Sequence, residues 1–175
     1  MTKKELKQFL RSESVNTILG GAFLQFVPEK HAVYLFRKSQ YHASHKGIWH
    51  RIMKRYYSSK LVHLYGILAS PNARIGKGLR FVHPTSIVIG EHVIAGENLS
   101  LYQNTTLGGA RTGDVKKGNQ PILGNNVTVF CGSAVLGSIR IGDNVTVAAN
   151  STLLKDAPDN SVCVGSPARI INKGV

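Results

Sequence analysis

Between Ile75 and Leu153 the apolar positions fall into a period of six. Taking an apolar residue as the first of each hexad, the series runs Ile75 and Phe81. After two extra residues it continues Ile89, Ala95, Leu101 and Leu107, and after a longer gap Leu123, Val129, Val135, Ile141, Val147 and Leu153. Internal periodicity of this kind outranks any local reading. A second column shares the phase, with glycine following the leader at Gly76, Gly90, Gly96, Gly108, Gly124 and Gly142. The fifth position is aliphatic or small at Leu79, Thr85, Val93, Leu99, Thr105, Val127, Ser133, Ile139, Val145 and Ser151. Together these columns predict a mainly β coil with three short strands per turn of about 18 residues, stacked at the ~4.8 Å strand spacing. Gly and Asn at the turns, as in Asn125-Asn126 and Asp143-Asn144, accept backbone angles that β-branched residues resist. A sandwich or a doubly wound sheet needs longer crossovers than six residues allow.

Upstream of this repeat the pattern is helical. Lys3 to Arg11, His31 to Ser44 following Pro28, and Gly47 to Val62 read as short helices, the last with Trp49, Ile52, Met53 and Tyr56 at helical spacing. Breaks at Gly20-Gly21 and Gly47 separate them. The expected organisation is a small helical region over 1–66 and a parallel β-helix over 67–175.

Composition changes this picture little: 42% of residues are apolar and 18% charged, as in an ordinary globular chain. Charge changes it more. A formal net charge of +13 favours anionic partners. Nucleic acid is not expected, since no recognition helix or RNP-type strand accompanies the charge. Cys131 and Cys163 show no metal spacing, and the opening MTKKELKQFL lacks the apolar core of a secretory signal, so the cytoplasm is the expected compartment. The Asn-Val-Thr triplets at Asn126 and Asn144 are corner asparagines followed by strand threonines, not glycosylation sites.

The stretch IGKGLRFVHPTSIVIGEHVIAGENLSLYQNTTLGG, from Ile75 to Gly109, and VGSPARI, from Val164 to Ile170, resemble the hexapeptide-repeat acyltransferases. Residues 67–171 are similar to the serine acetyltransferase branch and to its bacterial polysaccharide O-acetyltransferase relatives. The resemblance implies a left-handed coil, an exception to the usual right-handed crossover. It also implies a homotrimer with acyl-CoA sites between neighbouring β-helices, acetyl-CoA as co-substrate, and no metal.

Candidate chemistry sits at the two breaks in the period. The first expands Phe81-Val82-His83-Pro84-Thr85-Ser86, and by resemblance His83 is the catalytic base. Acyl transfer to an alcohol needs a proton removed from a weakly acidic hydroxyl as attack occurs, and an imidazole titrating near ~6.5 suits that task. His31, His42, His45, His50 and His63 lie in the basic first half, where solvated or capping roles are expected, and His92 sits at an exposed corner. The second break, GGARTGDVKKGNQP, is expected to reach over the cleft. By resemblance Gly108 and Gly109 let backbone approach the pantetheine arm, Cys131 and Ala149 leave room for it, and Lys155 and Arg169 pair with CoA phosphates. Cys131 as an acyl-accepting nucleophile lacks an activating neighbour in sequence, so direct transfer is preferred.

The acceptor is read from departures. Serine acetyltransferases place an acidic residue where this chain has Leu68, and an Arg-His pair where it has Asn119-Gln120 before Pro121. Without those charged partners a sugar hydroxyl on a polysaccharide, capsule or glycolipid precursor is the expected acceptor, with serine O-acetylation (cysteine biosynthesis) as the alternative. The basic helix around Trp49, Arg51, Lys54 and Arg55 suits either an anionic inner membrane face near a lipid-linked acceptor or a neighbouring subunit. Two rival classes remain: a zinc enzyme, for which His83 and His92 are too few ligands in the repeat, and a non-catalytic scaffold or binding module that binds no acetyl-CoA.

Overall fold

The computed structural model describes residues 1–15 and 26–172, so the Gly20-Gly21 break lies outside the described residues. From Leu68 the chain winds into a left-handed parallel β-helix with three walls. The first stacks Leu68–Ala69, Val88–Ile89, Thr106–Gly108, Ala134–Leu136 and Thr152–Leu153; the second stacks Arg74–Ile75, Ile94–Ala95, Ile122–Leu123 and Arg140–Ile141. The third stacks Arg80–Phe81, Ser100–Leu101, Thr128–Val129, Thr146–Val147 and Ser161–Val164, then ends on antiparallel Arg169–Asn172.

All twelve hexad leaders are buried and share one register, as in Ile75 opposite Ala95 and Ala95 opposite Leu123. Each points inward while the residue before it points out, the two-residue alternation of a strand. The fifth column also points inward, with one correction. Thr85 is exposed, and Ile87 fills its place at 0% exposure, because the extra residues enter the hexad before that position.

The corner between the second and third walls shows why asparagine recurs. Asn98, Asn126, Asn144 and Asn160 all take left-handed φ between 55° and 61°, where an Asn side chain is tolerated and a β-branched one is not. Their amides form a ladder, each Nδ2 donating to the next Oδ1 at 2.9, 3.0 and 2.9 Å.

Among the described residues three helices cover the start of the coil: α1 (Lys3–Ser12), α2 (Pro28–Ala43) and α3 (Ile48–Tyr65). Thr2 and Glu5 form a capping box on α1, and Pro28 opens α2 at a position where its missing N–H costs nothing. An uncovered first turn would expose apolar interior and unpaired backbone groups. Here α2 supplies both remedies. The Phe36 ring meets Phe81 edge-on at 5.9 Å, and buried Arg37 donates to Ile75 O at 3.0 Å and Gly76 O at 2.6 Å. Glu13 neutralises Arg37 inside the core, and burial pushes the Glu13 carboxyl up despite that partner.

The α2–α3 seam is aromatic and imidazole-rich. His31 Nδ1 lies 2.8 Å from Tyr65 Oη, His42 stacks on Tyr57, and His42 and His50 meet Nδ1 to Nδ1 at 3.0 Å. His42 is buried and His31 half-buried against these partners, so both serve in packing, and burial lowers the pKa of each. Trp49, Ile52 and Tyr56 instead face outward on α3, and Leu61 is its buried anchor. Among the described residues no helix is long and apolar enough to cross a membrane.

Candidate functional site

Coil-to-coil hydrogen bonds locate the first break to the residue. Val82 N donates to Leu101 O at 2.8 Å, and Asn104 N donates to Thr85 O at 2.9 Å. His83 and Pro84 therefore have no counterpart in the next coil; at this corner between the third and first walls His83 is exposed while Pro84 stays buried. Ser86 N donates to Tyr65 O at 3.1 Å, which ties the far side of the bulge to the end of α3. His83 is exposed and held at φ 50°, a sparsely populated angle for a non-glycine residue. Its ring lies edge-to-face with Tyr102 at 6.3 Å, and Tyr102 leans on Phe130 at 4.7 Å.

Gly132 N donates to Gln103 O and Asn150 N to Cys131 O, which puts Gln103, Cys131 and Ala149 in one column along the same corner. Cys131 is partly exposed and Ala149 exposed, so small side chains line the edge above the bulge.

The second break leaves the first wall at Gly108, which pairs with Leu136. The loop carries one turn of helix, α4 (Asp114–Lys117). The Asp114 carboxylate accepts from Ala110 N at 2.9 Å, Arg111 N at 2.8 Å and Asn119 Nδ2 at 3.1 Å. The Asn119 amide and those backbone donors hold its pKa below the usual carboxylate value. Gly109 is required by this packing, since a Cβ there would stand 2.7 Å from Asp114 Cβ. Gln120 Oε1 accepts from His92 N at 2.9 Å and locks the loop base. Under the loop lies a cavity of about 490 Å³ lined by Arg111, Asp114, Asn119, Leu136, Ile139 and Leu154.

One edge of the prism thus gathers His83, Cys131 and Ala149. Gly108, Gly109 and Lys155 lie on the next edge, and exposed Arg169 pairs with Val164 at the far end of the third wall. Among the described residues no group of three or more His, Cys, Asp or Glu could hold a metal ion. Tyr102 and Phe130 were not legible as site residues, although both directly follow hexad leaders and so occupy outward positions on successive coils.

A left-handed coil of hexads, broken once by a histidine bulge and once by a long loop, defines a hexapeptide acyltransferase. The bacterial transferase hexapeptide (six repeats) family matches residues 120–155. A serine acetyltransferase from Helicobacter pylori is 40% identical over 150 residues, spanning 86% of this chain and 85% of the relative. A solved Brucella abortus serine acetyltransferase superposes with TM-score 0.77 at 28% identity, covering 97% of this chain and 69% of that one. A serine acetyltransferase in complex with CoA superposes with TM-score 0.68 at 30% identity, over 81% of this chain and 56% of that one. The chain belongs to the serine acetyltransferase family. It is an acyl-CoA-dependent O-acetyltransferase with acetyl-CoA as co-substrate, and hexapeptide-repeat acetyltransferases are typically trimers.

The expectation of a sugar, polysaccharide or capsule acceptor is overturned by these relatives. In the fold Asn119 Nδ2 donates to Asp114, and buried Gln120 accepts from His92 N at the loop base.

Proposed function

We propose that this chain is a serine O-acetyltransferase: acetyl-CoA and L-serine give O-acetylserine and CoA, with His83 as general base. The observation that carries the reading is the 40% identity to a serine acetyltransferase across almost the whole of both chains. His83 Nδ1 or Nε2 takes the serine hydroxyl proton as the oxygen attacks the thioester carbonyl. The tetrahedral intermediate collapses by breaking the C–S bond, and the imidazolium returns the proton to the departing thiolate. Backbone N–H groups near Gly108-Gly109 are suited to steady the oxyanion. Cys131 takes no acyl group in this scheme.

The acetyl-CoA reading uses the edge columns. Cys131 and Ala149 leave space for the pantetheine arm, while Lys155 and Arg169 take the phosphates. Arg169 lies five strand steps along the third wall from Val82, or ~24 Å, an arrangement suited to an elongated ligand. His83 and the long loop sit on different edges of one chain. A homotrimer accounts for this if the His83 edge of one subunit meets the loop of the next. Because Leu68 is apolar and 62% exposed, the serine ammonium and carboxylate fall to groups of the long loop and the neighbouring subunit.

The test follows thiol release from acetyl-CoA with and without L-serine and identifies the product by mass. Serine-dependent release with O-acetylserine formed is the expected result. Release no faster with serine than without it would overturn the acceptor.

A further inference from the structure

Leu68 leaves His83 without the carboxylate that the serine acetyltransferase pattern places at that position, yet a general base works only when its ring is aimed. What faces the His83 ring is aromatic. Val82, Tyr102 and Phe130 lie in register on the outer surface of the third wall, through Val82 N to Leu101 O at 2.8 Å, Tyr102 N to Val129 O at 3.0 Å and Phe130 N to Val147 O at 2.9 Å. Tyr102 is fixed from two sides. Its ring leans on Phe130 at 4.7 Å and 31°, and its carbonyl accepts from Thr105 Oγ1 at 2.9 Å. The imidazole stands against it at 6.3 Å and 68°, within the range of favourable edge-to-face pairs.

We propose that Tyr102, braced by Phe130, is the positioning residue for His83, orienting the imidazole by ring contact where a carboxylate would do so by charge. The proposal rests on reading His83 as the base. The contact is between rings, so the Tyr102 hydroxyl is dispensable. Losing the ring therefore lowers the rate by leaving the imidazole less well aimed.

The experiment compares Tyr102→Leu with Tyr102→Phe, both at a partly exposed position on the coil surface. In Tyr102→Leu, kcat for serine acetylation is expected to fall about two- to tenfold, the value of one aromatic pair. KM for both substrates stays unchanged. Tyr102→Phe restores kcat. A second readout needs no turnover: the His83 ring C–H resonance, assigned by its absence in His83→Ala, shifts in Tyr102→Leu and stays in place in Tyr102→Phe. An unmoved resonance, wild-type kcat in Tyr102→Leu, or equal losses in both variants would overturn the positioning role. Full turnover in His83→Ala would instead sink the base reading and this role with it, while the resonance still reports whether the rings touch.

Discussion

Two corners of the same coil use the same backbone angle to opposite ends. Between the second and third walls, Asn98, Asn126, Asn144 and Asn160 repeat without interruption and bond to one another in a ladder. Between the third and first walls, Ser86, Asn104, Gly132 and Asn150 take the same left-handed φ, but two residues, His83 and Pro84, are inserted ahead of the first of them. At the uninterrupted corner the asparagine amides bond to one another from coil to coil. The interrupted one presents an exposed imidazole on a backbone tied down at both ends. Regular register stabilises the coil, and the lapse in register is where we propose that the chemistry sits.

Erasing the difference should have the largest effect. Deleting His83 and Pro84 together would bring Thr85 into register beside Val82 and make the second corner as regular as the first. The expected protein folds as a coil with an unfolding midpoint no lower than wild type, and its serine acetylation falls by ~10²- to 10⁴-fold, the usual value of a positioned base. The converse change attacks the regular corner. Asn126→Val forces a β-branched residue to φ near 55° and removes two ladder bonds. A destabilisation of about 1–3 kcal/mol is expected in denaturant unfolding, with turnover at low temperature retained. Asn126→Gly, which accepts that angle, should recover most of the loss.

Smaller effects belong to the long loop. Gly109→Ala collides with Asp114 and should raise KM for acetyl-CoA by about fivefold while leaving the unfolding midpoint in place. The smallest is a pH effect. The folded Asp114 pKa lies below its ordinary value of 3.8, so the loop favours the carboxylate. Its contribution is complete above that ordinary value and is lost as pH falls through the lower folded one. The Ala110 and Arg111 amide resonances should therefore hold steady from pH 7 to about 5 and move only in more acidic solution. Movement near pH 6 would mean that another group governs the loop.

Much of this contrast was legible in the residues. Apolar leaders every six positions mark the coil because the leader faces the axis on every wall and is apolar at all twelve positions, and both breaks show as slips in that count. Thr85 was misplaced because a count from the leader cannot tell where in an expanded hexad the extra residues enter; the hydrogen bonds from Val82 and Asn104 can. The cap over the first turn was out of reach, since Arg37 finds Glu13 and the carbonyls of Ile75 and Gly76 only after folding. The acceptor was misread because Leu68 and Asn119-Gln120 show which charged groups are missing and not which groups stand in for them.

Steady-state thiol release from acetyl-CoA with L-serine, measured on His83→Ala beside the wild-type protein at matched unfolding midpoints, bears most directly on the bulge as the seat of catalysis. Wild-type turnover with a loss of ~10²-fold or more in the variant is the predicted result. Equal rates in the two proteins would contradict it.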